Sequence, residues 1–496
     1  MSAWVRTRMR SVAGVRPALH PHLCHSGALA AVALLAALAC SGALAQSPAA
    51  APQLPPPVAA ALREEQIAPT ATAFVVAPLD GGAIELAMNE STPMNPASTM
   101  KLLTTYAALE MLGPTYQWHT DVYASSHPRG GRLDGDLILR GSGDPSLVIE
   151  RFWMLVHRLR GLGLRQLRGD LVLDKSAFEP NVEAGSSIDG NDLRPYNVAP
   201  DALLVNFKTL TLEFVPDPEA HLAHIVATPT LAGVKLPASV PLAAGPCGDW
   251  RGRLKADFAD PWAPKFAGRY ALECAEQSWH VSVLSHTQYV GAAFRALWEA
   301  SGGTWIGHVR EGRTPSGAFE LLQQQSPPLS EIVREINKFS NNVMARQLFL
   351  TLGEPDGQQP ASPERSVQAV HAWLARSNLA MPELVLENGC GLSRRERISA
   401  GSLARLLRHA YDGARMPEFA ASLPIAGMDG TMKSRTAAAG SAYVKTGLLE
   451  GVRAVAGYVL AAGGHHYAVV AIINHPNADA ATEALDALLD WVQEKG

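Results

Sequence analysis

The stretch PASTMKLLTTYAALEML, residues 96–112, places a serine three positions before a lysine and follows both with an apolar run of helical period. Ser98 is a good N-cap residue, and the run behind it predicts a helix. A capping box, however, has Glu or Gln at the third helical position, because a carboxylate suits the positive end of the helix dipole. Lys101 carries the opposite charge. The stretch therefore fits either a plain helix start or a serine nucleophile with its base one helical turn away.

Length and charge limit the class of protein. The 496 residues exceed one average domain, so several compact units, or one large unit with insertions, are expected. The net charge of -4 shows no basic excess, which excludes nucleic acid as a predicted partner and leaves a small or polymeric neutral-to-acidic ligand open. The sequence contains no C-x-x-C pair and no H-E-x-x-H, so we predict neither a metal site nor a cofactor.

Residues 1–45 have the layout of a cleaved export signal. Arginines at positions 6, 8, 10 and 16 precede an apolar run over 27–40, and SGALAQ supplies an A-x-A-like cleavage site. The apolar run is too short for a comfortable membrane span. A lipoprotein signal at Cys40 fits less well, because Ala37 stands where such signals carry a branched apolar residue. We therefore predict a periplasmic protein whose mature chain begins near Gln46.

Three of the five cysteines remain after the leader is removed. Cys247 and Cys274 lie in one region and, in an oxidising compartment, are expected to form a disulfide that stabilises the fold by about 3 kcal/mol. Cys390 is then a single thiol, and we predict that it is a small buried residue.

The mature chain alternates between segments of different periodicity. A Pro/Ala tether is predicted over 46–66, two strands with a turn at Asp80 over 70–89, and a mainly β insertion over 118–285. Helical periodicity returns later, and the chain closes with three strand-like runs and an amphipathic helix. These later segments are helices at 329–353, 366–377 and 399–412, a β-meander at 441–475 and the last helix at 478–495.

Three short motifs occur once each and in a fixed order: Ser98-Thr99-Met100-Lys101, Ser340-Asn341-Asn342 and Lys445-Thr446-Gly447. S-x-x-K, S-x-N and K-T-G are together the signature of penicillin-binding proteins and related β-lactamases. Each motif alone is a weak signal, since a solvated lysine or a polar helix face would also explain it. Their order, and the helix start, helix edge and strand that carry them, favour a common site.

The chemistry of the motifs supports this interpretation. The helix dipole, burial and a second cation at Lys445 would all favour the neutral amine of Lys101, which could then take a proton from Ser98 near pH 7. Ser340 could relay that proton and Asn342 could hold a substrate amide.

The strand that carries the third motif suggests how a ligand would bind. Strand alternation places Lys445 and Gly447 on one face and Thr446 on the other. A ligand backbone could lie along this strand, with glycine allowing close approach and lysine attracting a carboxylate.

The whole mature chain resembles the class C low-molecular-mass penicillin-binding proteins, the D-alanyl-D-alanine carboxypeptidases and endopeptidases of the penicillin-binding protein 4 type. About 240 residues separate the first two motifs, matching the large insertion of such proteins. The resemblance extends to stretches at 140–147, 195–210, 387–399 and 426–435. It implies an α+β fold, an antiparallel sheet flanked by helices, formed by 67–117 and 286–496 around the mainly β insertion.

The resemblance also implies a reaction. Ser98 would attack the carbonyl between two D-alanines, Lys101 would act as base, and Ser340 would help return the proton to the leaving amine. Peptidoglycan stem peptides would be the substrates and β-lactams the inhibitors. Association with the membrane or cell wall, and the oligomeric state, stay open.

The resemblance assigns binding roles as well. Lys445 and Thr446 would bind the terminal carboxylate, and the N–H groups of Ser98 and Leu448 would form the oxyanion hole. Asp144 matches a position that can bind the amino group of a diaminopimelate side chain, although it could equally stabilise its own turn.

Two residues depart from the family pattern. Cys390 and Asn388 stand where serine and aspartate are usual in the stretch over 387–399, which affects the contacts of that loop.

Two alternatives remain at this level. A β-lactamase would share the nucleophile, but the class C enzymes of that kind carry Y-x-N in the middle motif. A non-catalytic peptidoglycan-binding scaffold would have no use for a lysine at this helix start.

Overall fold

The structure is a computed structural model, and it describes residues 53–180, 182, 187–354 and 357–495. The predicted export signal lies outside these residues. Within the described part of the chain, no helix has the length and apolar character that crossing a bilayer requires. The helices are α1 (Pro56–Glu64), α2 (Lys101–Met111), α3 (Ile149–Gly161), α4 (Trp250–Leu254), α5 (His286–Ala300), α6 (Leu329–Phe339), α7 (Asn342–Gly353), α8 (Pro363–Arg376), α9 (Ala400–Asp412), α10 (Met416–Ser422) and α11 (Thr482–Gln493).

The strands form several sheets. They are β1 (Thr72–Pro78), β2 (Leu86–Met88), β3 (Pro93–Met94), β4 (His119–Ala124), β5 (Arg132–Leu133), β6 (Leu137–Gly141), β7 (Gln166–Leu167), β8 (Leu171–Asp174), β9 (Leu210–Asp217), β10 (Leu222–Thr228), β11 (Ser239–Ala243), β12 (Ala256–Asp257), β13 (Lys265–Phe266), β14 (Tyr270–Ala271), β15 (Gln277–Val281), β16 (Thr304–Trp305), β17 (Val309–Glu311), β18 (Phe319–Gln325), β19 (Ile398–Ser399), β20 (Ala442–Leu449), β21 (Val452–Leu460) and β22 (His466–Asn474).

One antiparallel sheet joins the two ends of the chain, in the order β2-β1-β22-β21-β20. β1 pairs with β22 in the register Phe74↔Ala471, and β20 pairs with β21 in the register Lys445↔Ala456. The predicted hairpin and C-terminal meander are therefore confirmed. β20 lies at the edge of the sheet. A bridge between Tyr443 and Ile425 covers the first part of its outer side, and Leu448, further along the strand, is exposed.

Alternation along β1 divides the core into two layers. Ala73 and Val75 pack with α2 and α6–α9, whereas Phe74 and Val76 pack against the layer of α1 and α11. Since strand residues alternate between faces, the run AFVV at 73–76 needs apolar residues at every position to bury both sides of the sheet. The fold is α+β with helices on both faces, as predicted.

The predicted tether is wrong for residues 56–64, which form α1. Two prolines at the helix start set a helical φ, and alanine continues the helix readily. Val58 and Leu62, four residues apart, face the same way and are fully buried in the core layer that includes α11. The tether predicted from Pro/Ala composition is wrong here, because the proline run begins a helix instead of a linker.

The inserted region extends beyond the predicted boundary at residue 285. β18 pairs with β4 in the register Gln324↔Thr120, and α5 contributes Phe294 and Trp298 to the hydrophobic core of the insertion. The insertion thus spans about 119–325. Its described residues, with gaps at 181 and 183–186, include the five-stranded sheets β17-β8-β6-β4-β18 and β14-β11-β10-β9-β15 and the helices α3, α4 and α5. Cys247 and Cys274 form the predicted disulfide within the insertion. Cys390 is a buried free thiol in the core layer that contains Ala73, Val75 and α2.

Candidate active site

The first motif begins with a tight turn. Residues Ala97–Met100 form one 3₁₀ turn, and α2 starts at Lys101. The N-cap positions of the two segments are Pro96 and Met100, so the prediction that Ser98 caps the helix is wrong. Ala97 adopts a left-handed φ of 45°, a strained conformation that the N–H···Oδ1 bond from Ala97 to Asn95, 2.9 Å long, helps to hold. The hydroxyl of Ser98 is therefore not used as a cap and remains half-buried beside Lys101.

Lys101 has three partners. Its Nζ lies 2.9 Å from Ser98 Oγ, 2.6 Å from Asn342 Oδ1 and 2.5 Å from the carbonyl oxygen of Cys390. The amide and carbonyl oxygens only accept, whereas the serine hydroxyl can also donate. A neutral amine can satisfy this set by donating its two hydrogens to Asn342 and Cys390 and accepting the Ser98 proton on its lone pair. This is the geometry of a base bound to its nucleophile.

The electrostatic surroundings favour the neutral form. Lys101 is fully buried, and this burial lowers its pKa from 10.5 to about 8, against the opposing effects of Cys390 and Glu396. Lys445 is also fully buried, and burial together with the charge of Lys101 holds the pKa of Lys445 well below its ordinary value. Two amines share one buried region, so protonating either disfavours protonating the other.

This pKa predicts a pH dependence. If Lys101 must be neutral to activate Ser98, the rate of Ser98 acylation rises about tenfold per pH unit on the acid side and levels off above about pH 8. The second-order rate constant for benzylpenicillin acylation, measured by stopped flow between pH 5.5 and 9.5, checks this. A profile that falls with rising pH over that range would contradict a neutral-amine base.

Ser340 and Lys445 form a second pair. Ser340 takes a left-handed conformation, φ 55°, at the C-cap of α6, and α7 begins two residues later at Asn342. Lys445 Nζ donates to Ser340 Oγ at 2.8 Å and to the carbonyl oxygen of Thr446 at 2.9 Å. The predicted continuous helix over 329–353 is therefore broken at Ser340, and this break directs the hydroxyl toward the strand lysine.

The outer edge of β20 presents backbone groups. Val444 N–H donates away from the sheet to Pro424 O at 2.9 Å, and by alternation the N–H groups of Thr446 and Leu448 point the same way. A Cβ on Gly447 would lie 2.6 Å from Pro96 O, so glycine is required for β20 to approach the turn that carries Ser98. The Leu448 N–H is thus on the open edge beside the turn that carries Ser98.

A loop faces the same edge. Thr446 Oγ1 donates to Thr431 Oγ1 at 2.9 Å, and both hydroxyls lie near the surface. Asp429 fixes this loop to α6 by accepting two hydrogen bonds, 2.9 and 2.6 Å long, from the buried amine of Lys338. The Lys445 amine is buried, whereas these two threonine hydroxyls are accessible. The motifs did not reveal Thr431, although it lies in the family-like stretch at 426–435.

A third segment closes the back of the site. The stretch over 387–399 supplies the Cys390 carbonyl to Lys101, and burial raises the pKa of the Cys390 thiol to about 11, which keeps it protonated. Glu396, in the same stretch, is fully buried. The sequence identified neither the Cys390 carbonyl nor Glu396 as part of the site. A backbone carbonyl leaves no side-chain pattern, and Glu396 lies outside the three motifs.

Asp144 lies in a turn of its own. Its carboxyl is 3% exposed and accepts the Ser146 N–H at 2.8 Å, and burial raises its pKa to about 6. The turn-stabilising alternative is therefore seen directly. Ligand binding by Asp144 stays a prediction.

Comparison with protein families identifies the group to which these features belong. The model of the D-Ala-D-Ala carboxypeptidase 3 (S13) family matches residues 55–495, which include all three motifs. The chain belongs to this family. As an S13 protein, it is an enzyme with serine D-Ala-D-Ala carboxypeptidase activity, and the predicted resemblance is confirmed.

Individual relatives agree with the S13 assignment. A D-alanyl-D-alanine carboxypeptidase DacB from Haemophilus influenzae is 26% identical over 419 residues, covering 81% of this chain and 85% of the relative. A D-alanyl-D-alanine carboxypeptidase from Actinomadura sp. is 30% identical over 389 residues, covering 73% and 70%. The crystal structure of penicillin binding protein 4 from Haemophilus influenzae superposes with a TM-score of 0.71 at 22% identity, covering 87% of this chain and 99% of that one. This structural similarity confirms the predicted α+β fold.

Proposed function

We propose that the protein is a periplasmic enzyme that cleaves D-Ala-D-Ala peptides through an acyl-enzyme on Ser98. The observation that carries the proposal is the 2.9 Å contact between Ser98 Oγ and a fully buried Lys101 amine whose other two partners are acceptors. A lysine so held is poised to remove the serine proton.

Acylation follows from this contact. Lys101 takes the proton of Ser98 as Oγ bonds to the carbonyl carbon of the penultimate D-alanine. The resulting oxyanion would accept from the N–H groups of Ser98 and Leu448, each such donor being worth about 3 kcal/mol in related sites. Collapse breaks the C–N bond, and the proton passes to the leaving amine through Ser340, which Lys445 holds at 2.8 Å.

Substrate binding uses the open edge of β20. The peptide would lie antiparallel or parallel to the strand, with backbone hydrogen bonds to its outward groups. The terminal carboxylate would accept from the hydroxyls of Thr446 and Thr431, in the positive field of Lys445 when that amine is protonated. Asn342 has a dual role, since its oxygen holds Lys101 and its amide nitrogen could donate to a substrate carbonyl. Water then attacks the acyl-enzyme, releasing the shortened peptide and restoring Ser98.

A β-lactam would acylate the same serine. A second structure of Haemophilus influenzae penicillin binding protein 4, similar to this chain with a TM-score of 0.67, was determined with a bound β-lactam. Because a β-lactam presents an amide carbonyl and a carboxylate in one small molecule, the groups that bind D-Ala-D-Ala fit it too. The periplasm is the expected location, since the export signal and peptidoglycan substrate both point there.

The proposal is tested with a stem pentapeptide that ends in D-Ala-D-Ala. We expect the purified protein to release one D-alanine per peptide, detected with D-amino acid oxidase, and benzylpenicillin to stop the release with one equivalent bound. No release together with no bound penicillin would favour the scaffold alternative. Release of penicilloate within seconds, with no lasting adduct, would favour the β-lactamase. Cross-linked muropeptides assayed in parallel measure any endopeptidase activity.

A further inference from the structure

Glu396 is a fully buried carboxylate behind the proposed base. Its Oε1 accepts three consecutive backbone N–H groups, from Glu387 at 3.0 Å, Asn388 at 3.0 Å and Gly389 at 2.9 Å. Its Oε2 is also buried and has no hydrogen-bond partner among the residues that the structure describes. A buried acid with one unsatisfied oxygen is costly to keep, so its presence requires a reason.

The loop that Glu396 holds is the loop that holds Lys101. The residue after Gly389 is Cys390, whose carbonyl oxygen lies 2.5 Å from Lys101 Nζ. Gly389 O accepts from Thr104 Oγ1 at 2.6 Å, one turn further along the same helix. The carboxylate therefore fixes the peptide units that aim the lysine at Ser98.

Glu396 and Lys101 also interact through their charges. Burial raises the pKa of Glu396, while its three N–H partners and the charge of Lys101 oppose that rise. In return, Glu396 opposes the lowering of the Lys101 pKa. The Cys390 thiol and the Arg346 guanidinium also face this pair, and the latter disfavours protonation of Lys101. Lys445 adds a second amine that is coupled to Lys101.

We propose that Glu396 is a positioning residue for the base: it holds the Cys390 loop against Lys101 and stabilises the ammonium that forms when Lys101 takes the Ser98 proton. Ser98, Lys101 and Glu396 would then act in sequence as nucleophile, base and base-orienting acid. Because the ammonium exists in the transition state but not in the resting neutral form, its stabilisation accelerates acylation. This inference rests on the proposed roles of Ser98 and Lys101.

The test compares Glu396→Gln with Glu387→Gln across the pH profile of benzylpenicillin acylation. Glutamine keeps an oxygen for the three N–H groups but removes the charge. Glu387 lies in the same loop, where its carboxylate accepts from Ser393 Oγ at 2.5 Å, so it controls for charge loss near the site. We expect Glu396→Gln to slow acylation at least about tenfold on the plateau above pH 8 and to move the acid limb about one pH unit lower, because the ammonium of Lys101 loses its counter-charge. Glu387→Gln should leave the limb in place.

A slower variant whose acid limb does not move would overturn the proposal, since a purely structural role predicts that result. An unchanged rate and limb would overturn it as well. If the parent protein itself takes up no penicillin, the proposed function fails before this comparison begins, so the two failures are distinguishable.

A stability cycle provides a test that does not need an active variant. At pH 6, below the Lys101 pKa of about 8, Lys101 is the ammonium that Glu396 is proposed to stabilise. In the Lys101→Met background that cation is absent, so replacing Glu396 by glutamine there loses no ion pair. We therefore expect Glu396→Gln to lower the melting temperature at pH 6 more in the parent than in the Lys101→Met background. Equal changes in the two backgrounds would show that Glu396 does not act on Lys101.

Discussion

Replacing Ser98 by alanine is expected to abolish both D-alanine release and penicillin binding, with a loss of at least about 10⁴-fold in acylation rate. Among the residues that the structure describes, Ser98 carries the hydroxyl that hydrogen-bonds to the proposed base, and the Ser340 hydroxyl is bound by Lys445. Because Ser98 is half-buried in a turn whose backbone is held by other residues, the alanine variant should keep the melting temperature of the parent. Mass spectrometry after incubation with benzylpenicillin measures the result.

Ser316→Ala is the matched control, since this serine is exposed in the inserted region. It should be acylated like the parent. If the Ser98→Ala variant released D-alanine at the rate of the Ser316→Ala variant, Ser98 would not be the nucleophile.

Lys101→Met is expected to reduce the acylation rate by about 10²–10⁴-fold while the protein stays folded. Methionine has nearly the length of the lysine side chain and no base. Methionine is preferred to arginine here, because Lys101 is fully buried with three hydrogen-bond partners within 2.9 Å. A guanidinium would displace Asn342 or the Cys390 loop, and a loss of activity would then have two explanations.

The control for this variant is Lys433→Met, which removes an exposed lysine close to the loop that carries Thr431. It should be acylated at the parental rate. Equal acylation of the Lys101→Met variant and the parent above pH 8, with both proteins folded by circular dichroism, would exclude Lys101 as the base.

Local pattern predicted those parts of the fold that bury a simple periodic face. The β-meander and the N-terminal hairpin have clear apolar strands and glycine turns, and their pairing into one sheet follows from the position of the helices between them. Helix α1 was missed because Pro and Ala are typical of both linkers and helix starts, and only packing against α11 distinguishes them. The end of the insertion was misplaced because α5 has an ordinary amphipathic pattern, which does not reveal the core it joins.

The site was predictable where side chains carry the chemistry. The structure brings Ser98, Lys101 and Asn342 together, and Ser340 with Lys445, as the spacing of the motifs suggested. The other contacts of the site depend on tertiary structure.

The contacts that sequence reasoning missed are of three kinds. The Cys390 carbonyl belongs to the backbone, and the Thr431 hydroxyl reaches the site from a separate loop. Glu396 hydrogen-bonds to the backbone of the loop that contacts Lys101. Residues far apart in sequence show no shared period, so their proximity could not be inferred.

The most direct test of Ser98 as the nucleophile is to locate the penicillin adduct. The parent protein is incubated with benzylpenicillin at pH 8, digested and sequenced by tandem mass spectrometry. A single penicilloyl group is expected on Ser98, within the 3₁₀ turn Ala97–Met100. An adduct on Ser340 or on any other residue, or an active enzyme that never acquires one, would contradict it.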